Sequence, residues 1–297
     1  MAFMKAMDRR IAGMTQAEEG QWSGDHFFIF LADPQPGLID KVNGGNGSRW
    51  DVEINRTNIA IDAINKMTPK PKFVCIGGDL IDAFPGESLR TPQVNDLKAA
   101  LSRLDTTIPM VVVSGNHDVG NIPTPDTMAM FNQDFGEDFY SFWSAGVFYI
   151  VVNSQYMFND SKTQDESNIQ DEWLEEQLKI AKSDSCQHAV VFMHIPLFIV
   201  DPDEEDSYFT IPKSRRMELI NRYADAGIKI VFSGHYHRNG GGVWTNEDET
   251  KQVESVVSSA IGAQLGNDVA GLRVVKVTSD RISHTYYPLD GVPEHLE

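Results

Sequence analysis

The sequence predicts an α/β fold in which two sheets pack together with helices outside. Three observations carry this. Short apolar, β-branched runs recur at 28–32, 73–76, 108–113, 189–193 and 228–232. Segments with apolar residues at helical spacing lie between them. Beyond residue 240, four further strand candidates follow with no helix between them. Helices alternating with strands, then strands alone, is the order of a covered two-sheet sandwich.

The elements follow in chain order. The run 28–32 lacks polar alternation, so it reads as a strand buried on both faces. Residues 42–48 are Gly- and Asn-rich without the Lys of a phosphate-binding P-loop, and read as a mobile loop near a site rim. Residues 51–66 form a helix that Pro69 and Pro71 stop. The strand 73–76 leads through a Phe84-Pro85-Gly86 loop to a helix over 91–104. After the strand 108–113, Pro123 and Pro125 break the chain before a short helix at 127–135. Residues 139–143 and 147–152 read as an antiparallel pair turning at 144–146, their aromatics in the core. An amphipathic helix is expected at 169–182, and another at 214–226 with Gly227 as its cap. The candidates 243–244, 253–258, 272–277 and 281–287 are expected to form a second, antiparallel sheet.

The 297 residues carry a net charge of −18, with 41% hydrophobic and 23% charged residues. That balance is globular and excludes the basic footprint of a nucleic-acid binder. The chain lacks an apolar run of the ~18 residues that span a bilayer. Residues 1–22 lack the apolar core of a secretory leader and read as a loose or short helical extension. Residues 23–297 then form one domain. Cys75 and Cys186 imply no disulfide framework; a reducing, cytoplasmic setting, a monomer and a buried Cys75 are expected.

The strand ends hold the chemistry. The five runs finish in Asp33-Pro34-Gln35, Gly77-Gly78-Asp79, Gly115-Asn116-His117-Asp118, His194, and Gly234-His235-Tyr236-His237. Functional groups in such sheets lie just past the carboxyl ends of strands. One Asp after a strand is ordinarily a turn former or helix cap. Five endings made of oxygen and nitrogen donors, with no thiol, read instead as a two-metal site.

In this order and spacing the endings resemble the calcineurin-like metallophosphoesterases, from about residue 27 to 288. The stretches 33–38, 65–73, 112–118 and 231–239 are similar to a narrower group, the calcineurin-like phosphoesterase domain-containing protein 1 group, regarded as serine/threonine protein phosphatases. The resemblance implies a four-layer α-β-β-α sandwich of two mixed sheets flanked by helices. It implies two divalent ions (Mn, Fe, Zn or Mg), the first held by Asp33, Gln35 and His237, the second by Asn116, His194 and His235, with Asp79 bridging. The implied reaction is in-line attack of hydroxide held by the two metals on phosphorus. His117 would protonate the leaving alkoxide, and Asn116, His117 and Arg238 would contact substrate.

Two departures matter. Most of the wider family has His where this chain has Gln35, a harder and weaker ligand, so the first metal is expected to bind less fully. The arginines with which the main serine/threonine phosphatases grip phosphate are absent, leaving Arg238 as a candidate. Asp82 is expected to back the site or lie in solvent. The acidic stretch 201–206 is expected on the active rim, either solvated or selecting substrates with basic residues.

The implied substrate is a phosphoserine or phosphothreonine protein, a signalling kinase among the family's substrates. A phosphodiesterase is the second enzymatic reading, because the same metal pair serves both reactions. A fold that has lost catalysis and acts as a scaffold is the third.

Overall fold

A computed structural model describes residues 4–183 and 185–297; the first three residues of the 1–22 extension lie outside the described residues. The strands are β1 His26–Leu31, β2 Val74–Ile76, β3 Met110–Val112, β4 Tyr140–Ser144, β5 Val147–Val151, β6 His188–Phe192, β7 Ile230–Ser233, β8 Gly240–Thr245, β9 Gln252–Val257, β10 Gly271–Val277 and β11 Ile282–Pro288. They make two mixed sheets, ordered β11-β10-β1-β2-β3 and β4-β5-β6-β7-β9-β8.

Side-chain alternation explains the layers. In β1, Phe28 and Phe30 face the second sheet, while Phe27, Ile29 and Leu31 face the helices outside. In β6, Val190 and Phe192 face inward, and Ala189 and Val191 face the opposite helices. Both faces of these strands are covered, so the sequence reads as unbroken apolar runs. Helices Asp51–Lys66 and Arg90–Leu101 cover one sheet; Gln164–Ala181 and Lys213–Asp225 cover the other. The result is the four-layer α-β-β-α sandwich.

The central core is aromatic. Phe28 stacks on Phe73 at 4.9 Å between ring centres and meets Tyr149, Phe192 and Phe232 edge-on at 5.6 to 5.8 Å. Such contacts add to the transfer of each ring from water and lock the two sheets in register. Cys75 is buried in this layer.

Two expectations are corrected. The four late strand candidates do not form a sheet of their own. β8 and β9 complete the second sheet, β9 running parallel to β7 (Ile230 opposite Glu254). β10 and β11 complete the first, β10 antiparallel to β1. Pairing at these edges satisfies backbone groups that an isolated pair of hairpins would leave to solvent. The stretch at 4–22, expected to be loose or short helical, does contain a short helix, Gln16–Glu19, but is not loose. Ala6, Ile11 and Met14 are buried in the central core, and the Met4 amide donates to the Met110 carbonyl at 2.8 Å. No helix among the described residues is long and apolar enough to cross a membrane.

β1, β2 and β3 run parallel, as do β5, β6, β7 and β9. Their carboxyl ends therefore meet at one end of the sandwich. The segment 258–265 crosses between the sheets there, its Ile261 and Gly262 amides donating to Ala32 and Asp33 carbonyls.

Candidate active site

The strand endings converge as two buried groups, Asp79 with His194 and His235, and Asp33 with Asp79 and His237. Within each group the donor atoms lie within 4.8 Å of one another, and Asp79 belongs to both. Asp33, Gln35, Asp79, Asn116 and His194 are at most 1% exposed.

The backbone is strained to deliver them. Asp33, Gln35, Asp79, His235 and His237 all have positive φ, between 38° and 67°. Non-glycine residues seldom take this conformation, and where it clusters it marks a functional site held by its surroundings. Gly78, at φ +91°, packs so closely on His194 that a Cβ would strike the imidazole ring.

Each imidazole is oriented through one nitrogen. His194 Nδ1 donates to the Gly77 carbonyl at 2.8 Å, leaving Nε2 at 3.2 Å from Asn116 Oδ1 and 3.3 Å from Asp79 Oδ1. His237 Nδ1 donates to Ala263 at 2.5 Å, leaving Nε2 at 3.6 Å from Asp33. His235 Nε2 donates to Tyr208 at 3.0 Å, freeing Nδ1. A backbone carbonyl behind each ring, with the other nitrogen turned inward, is the arrangement of metal-binding histidines. Gln35 Oε1 is buried with no hydrogen-bond partner, as a waiting ligand oxygen would be.

The charges point the same way. Burial raises Asp33 well above the usual carboxylate range, and the neighbouring Asp79 adds to this. Burial opposes ionisation of Asp79 too, but the surrounding histidines, His194 foremost, pull it below the usual range. Burial would lower His194; Asp79 and Asp33 outweigh it and raise the imidazole to about 9. Burial lowers His235 to about 3 and His237 to about 4, so both keep free lone pairs. A buried cluster with this much competing negative charge fits divalent cations and hard-to-borderline donors.

His117 lies beside the cluster. Its amide donates to Asp79 Oδ1 at 2.9 Å, its Nδ1 donates to the Asp82 carbonyl at 2.6 Å, and its ring stacks on Phe84 at 4.3 Å. Asp82 is not in solvent. It is fully buried, its carboxylate 2.8 Å from Lys41 Nζ and 3.7 Å from His117 Nδ1. Asp118, to which the sequence assigned no role, accepts the Gly115 and Leu80 amides at 2.8 and 3.0 Å and joins the β2 and β3 turns. Burial and the Asp79 charge raise it to about 7.

Arg238 sits next to His237, but its Nε and Nη2 donate to the Leu265 carbonyl and its guanidinium lies over the Tyr236 ring. The loop at 42–48 is tied down: Asp40 Oδ2 accepts the Gly47 and Ser48 amides. Tyr208, two residues beyond the acidic stretch, meets Asn116, while bonds of the stretch itself run within its own loop and to Lys213. The charges of the stretch are largely engaged. Glu204 accepts the Ile199, Val200 and Asp201 amides, Asp206 caps Lys213, and Asp203 pairs with Lys213 at 3.1 Å. Tyr208 and Asn121, both bonded to Asn116, were not found from sequence, because a Tyr in a loop and an Asn after a Gly are ordinary in any chain.

Residues 28–239 match the family model for calcineurin-like phosphoesterase. The chain is 49% identical over 297 residues to serine/threonine-protein phosphatase CPPED1 of Homo sapiens, covering 98% of this chain and 93% of that one. The Danio rerio protein of the same name is 47% identical over 296 residues, covering 98% and 94%. Among solved structures, purple acid phosphatase PPD1 from yellow lupin (Lupinus luteus) superposes with a TM-score of 0.66 at 15% identity, over 93% of this chain and 53% of that one. A dimetal phosphatase from Danio rerio gives 0.62 at 13% identity, over 89% and 96%. At these identities the two structures share the fold.

Proposed function

Because the chain belongs to the calcineurin-like phosphoesterase family and is a metal-dependent phosphoester hydrolase, we propose that it removes phosphate from phosphoserine and phosphothreonine in proteins. The observation that carries the phosphoester chemistry is the carboxylate of Asp79 shared by two groups of buried donors. Two cations a few ångströms apart would repel unless an anion lay between them, and Asp79, common to both groups, is the residue that would supply it. Asp33, Gln35, Asp79 and His237 would hold one ion; Asp79, Asn116, His194 and His235 would hold the other, with Mn, Fe, Zn or Mg as candidates. Bound there, such a pair polarises a phosphoryl group and acidifies water.

The remaining work falls to the chain's own side chains. His117 donates through Nδ1 to the Asp82 carbonyl, so in its doubly protonated, imidazolium form the Nε2 hydrogen is the one to pass to the leaving alkoxide. Asn116, His117 and Arg238 form the substrate-facing set. Arg238 is the least prepared, since it must release the Leu265 carbonyl to grip phosphate. The protein substrate follows from the name its relatives carry; a signalling kinase as one such substrate rests on the resemblance to the narrower group alone. A reducing setting such as the cytoplasm agrees with two cysteines that form no disulfide; a monomer is proposed from the sequence reading alone.

The test is hydrolysis of a phosphoserine peptide and of bis-p-nitrophenyl phosphate by metal-stripped chain re-loaded with Mn²⁺, Mg²⁺, Zn²⁺ or Fe²⁺, with His117→Ala alongside. Metal-dependent monoester cleavage, reduced about 10²–10⁴-fold in the variant, is expected. Cleavage of the diester alone would replace the phosphatase reading with a phosphodiesterase.

A further inference from the structure

Asn116 is a neutral carboxamide among carboxylates and imidazoles, and the two ends of a carboxamide have the same shape. Only the oxygen has a lone pair to offer a cation; the NH₂ end presents hydrogens. Something must therefore decide which end faces the cluster. In this structure Oδ1 faces inward, 3.2 Å from His194 Nε2. Nδ2 faces outward and donates to Asn121 Oδ1 and to the Tyr208 hydroxyl, both at 2.9 Å. The Tyr208 hydroxyl in turn donates to Asn121 Oδ1 at 3.3 Å.

We infer that Tyr208 and Asn121 are positioning residues that lock the Asn116 amide with its oxygen toward the metal centre. A phenol can donate or accept, so alone it would tolerate either orientation of the amide. Because its hydrogen is committed to Asn121 Oδ1, it meets Asn116 as an acceptor. Asn121 Oδ1 is also an acceptor. With Asn121 in the orientation seen, a flipped Asn116 would set its own oxygen against two acceptors and turn its hydrogens toward the cations.

Tyr208 is itself held for this task. Its ring packs on His235 at 5.0 Å, on Phe209 at 5.3 Å and edge-on to Phe158 at 6.5 Å. Its carbonyl accepts from His235 Nε2. One loop residue thus orients two members of the same donor group, Asn116 through its hydroxyl and His235 through its backbone. The group with Asp33, Gln35 and His237 receives no contact from the Tyr208 hydroxyl among the described bonds, which provides an internal control.

The inference rests on the metal-centre reading above. It is tested by calorimetric titration of the metal-stripped full chain with Mn²⁺, comparing the unaltered protein with Tyr208→Phe and Asn121→Ala. Tyr208→Phe keeps the ring and the carbonyl and removes only the hydroxyl. The expected result is one of two binding steps weakened about three- to tenfold, the equilibrium effect of one hydrogen bond between neutral partners. The other step and the thermal midpoint of the metal-free chain stay where they were. Asn121→Ala weakens the same step at least as much, because it also frees the phenol hydrogen. Superimposable isotherms for Tyr208→Phe and the unaltered chain would overturn the assignment while leaving the metal centre standing. Equal weakening of both steps, with a lowered midpoint, would also overturn it by making Tyr208 a general packing residue. An unaltered chain that takes up no Mn²⁺ would remove the metal-centre reading and this inference with it.

Discussion

At the residue scale, the site depends on which atoms are left free. Gln35 has a buried oxygen without a partner, where the wider family has an imidazole. Gln35→His should tighten the weaker of two metal steps about tenfold or more, because imidazole suits borderline cations better than a carboxamide. Metal titration checks this, and unchanged curves would dispose of it. His194 gives a pH prediction. Its pKa is raised to about 9 by Asp79 and Asp33 against the effect of burial, so near pH 7 it carries a proton that a cation must displace. Proton and metal compete, hence affinity should fall as pH drops from 9 toward 6. Burial raises the Asp33 carboxyl as well, so at least one proton should be released on binding at pH 7, measured by calorimetry in two buffers of different ionisation enthalpy. His235 and His237, lowered to about 3 and 4, should contribute no release in that range. Binding without proton release would contradict this account. The candidate ligands themselves were legible in the sequence, since each closes an apolar run. Tyr208 and the burial of Asp82 were not, because their contacts join positions far apart in the chain, and Asn121 was not, because an Asn after a Gly is ordinary in any loop.

At the element scale, the strand ends hold the donors and the aromatic layer holds the strands. Gly78 turns the chain after β2 at a φ that side chains avoid, with His194 directly against it. Gly78→Ala should cost about 1–2 kcal/mol in backbone strain alone. It should also push His194 out of register, abolishing metal uptake while far-ultraviolet circular dichroism stays close to normal. Retained uptake would show that the turn yields without moving the imidazole. Phe28 joins β1 and β2 to β5, β6 and β7 through its ring contacts. Phe28→Ala should destabilise the chain by about 3–5 kcal/mol, read as a lower urea midpoint at unchanged slope. Helices and strands were largely legible from periodicity, with bounds shifted by a few residues. The helix expected over 169–182 begins at Gln164, because polar residues open its first turn and the apolar stripe starts later.

At the scale of the whole molecule, a charge of −18 acts on every substrate that approaches. Engagement of Glu204, Asp203 and Asp206 within their own loop leaves less of a dedicated acidic clamp than the sequence implied. Any preference for basic phosphopeptides should therefore arise mainly from the overall field. Their kcat/KM should fall several-fold between about 0.05 and 0.5 M salt, while p-nitrophenyl phosphate changes little, because screening shortens the reach of surface charge from over 10 Å to a few ångströms. Parallel salt profiles for both substrates would exclude steering. Read alone, the chain already specified its strands, its order of donors and its family, because a strand covered on both faces must be apolar throughout and a polar ending on such a run stands out. The partnering of late strands was decided only in three dimensions. β8–β9 and β10–β11 look alike in sequence, yet they close opposite sheets, since pairing depends on which edge lies open when the sandwich forms. The same packing decided the convergence of both sets of strand ends on Asp79, the tie from Asp82 to Lys41, and the grip of Tyr208 on Asn116. Each is a contact between segments whose separation along the chain carries no periodic signal.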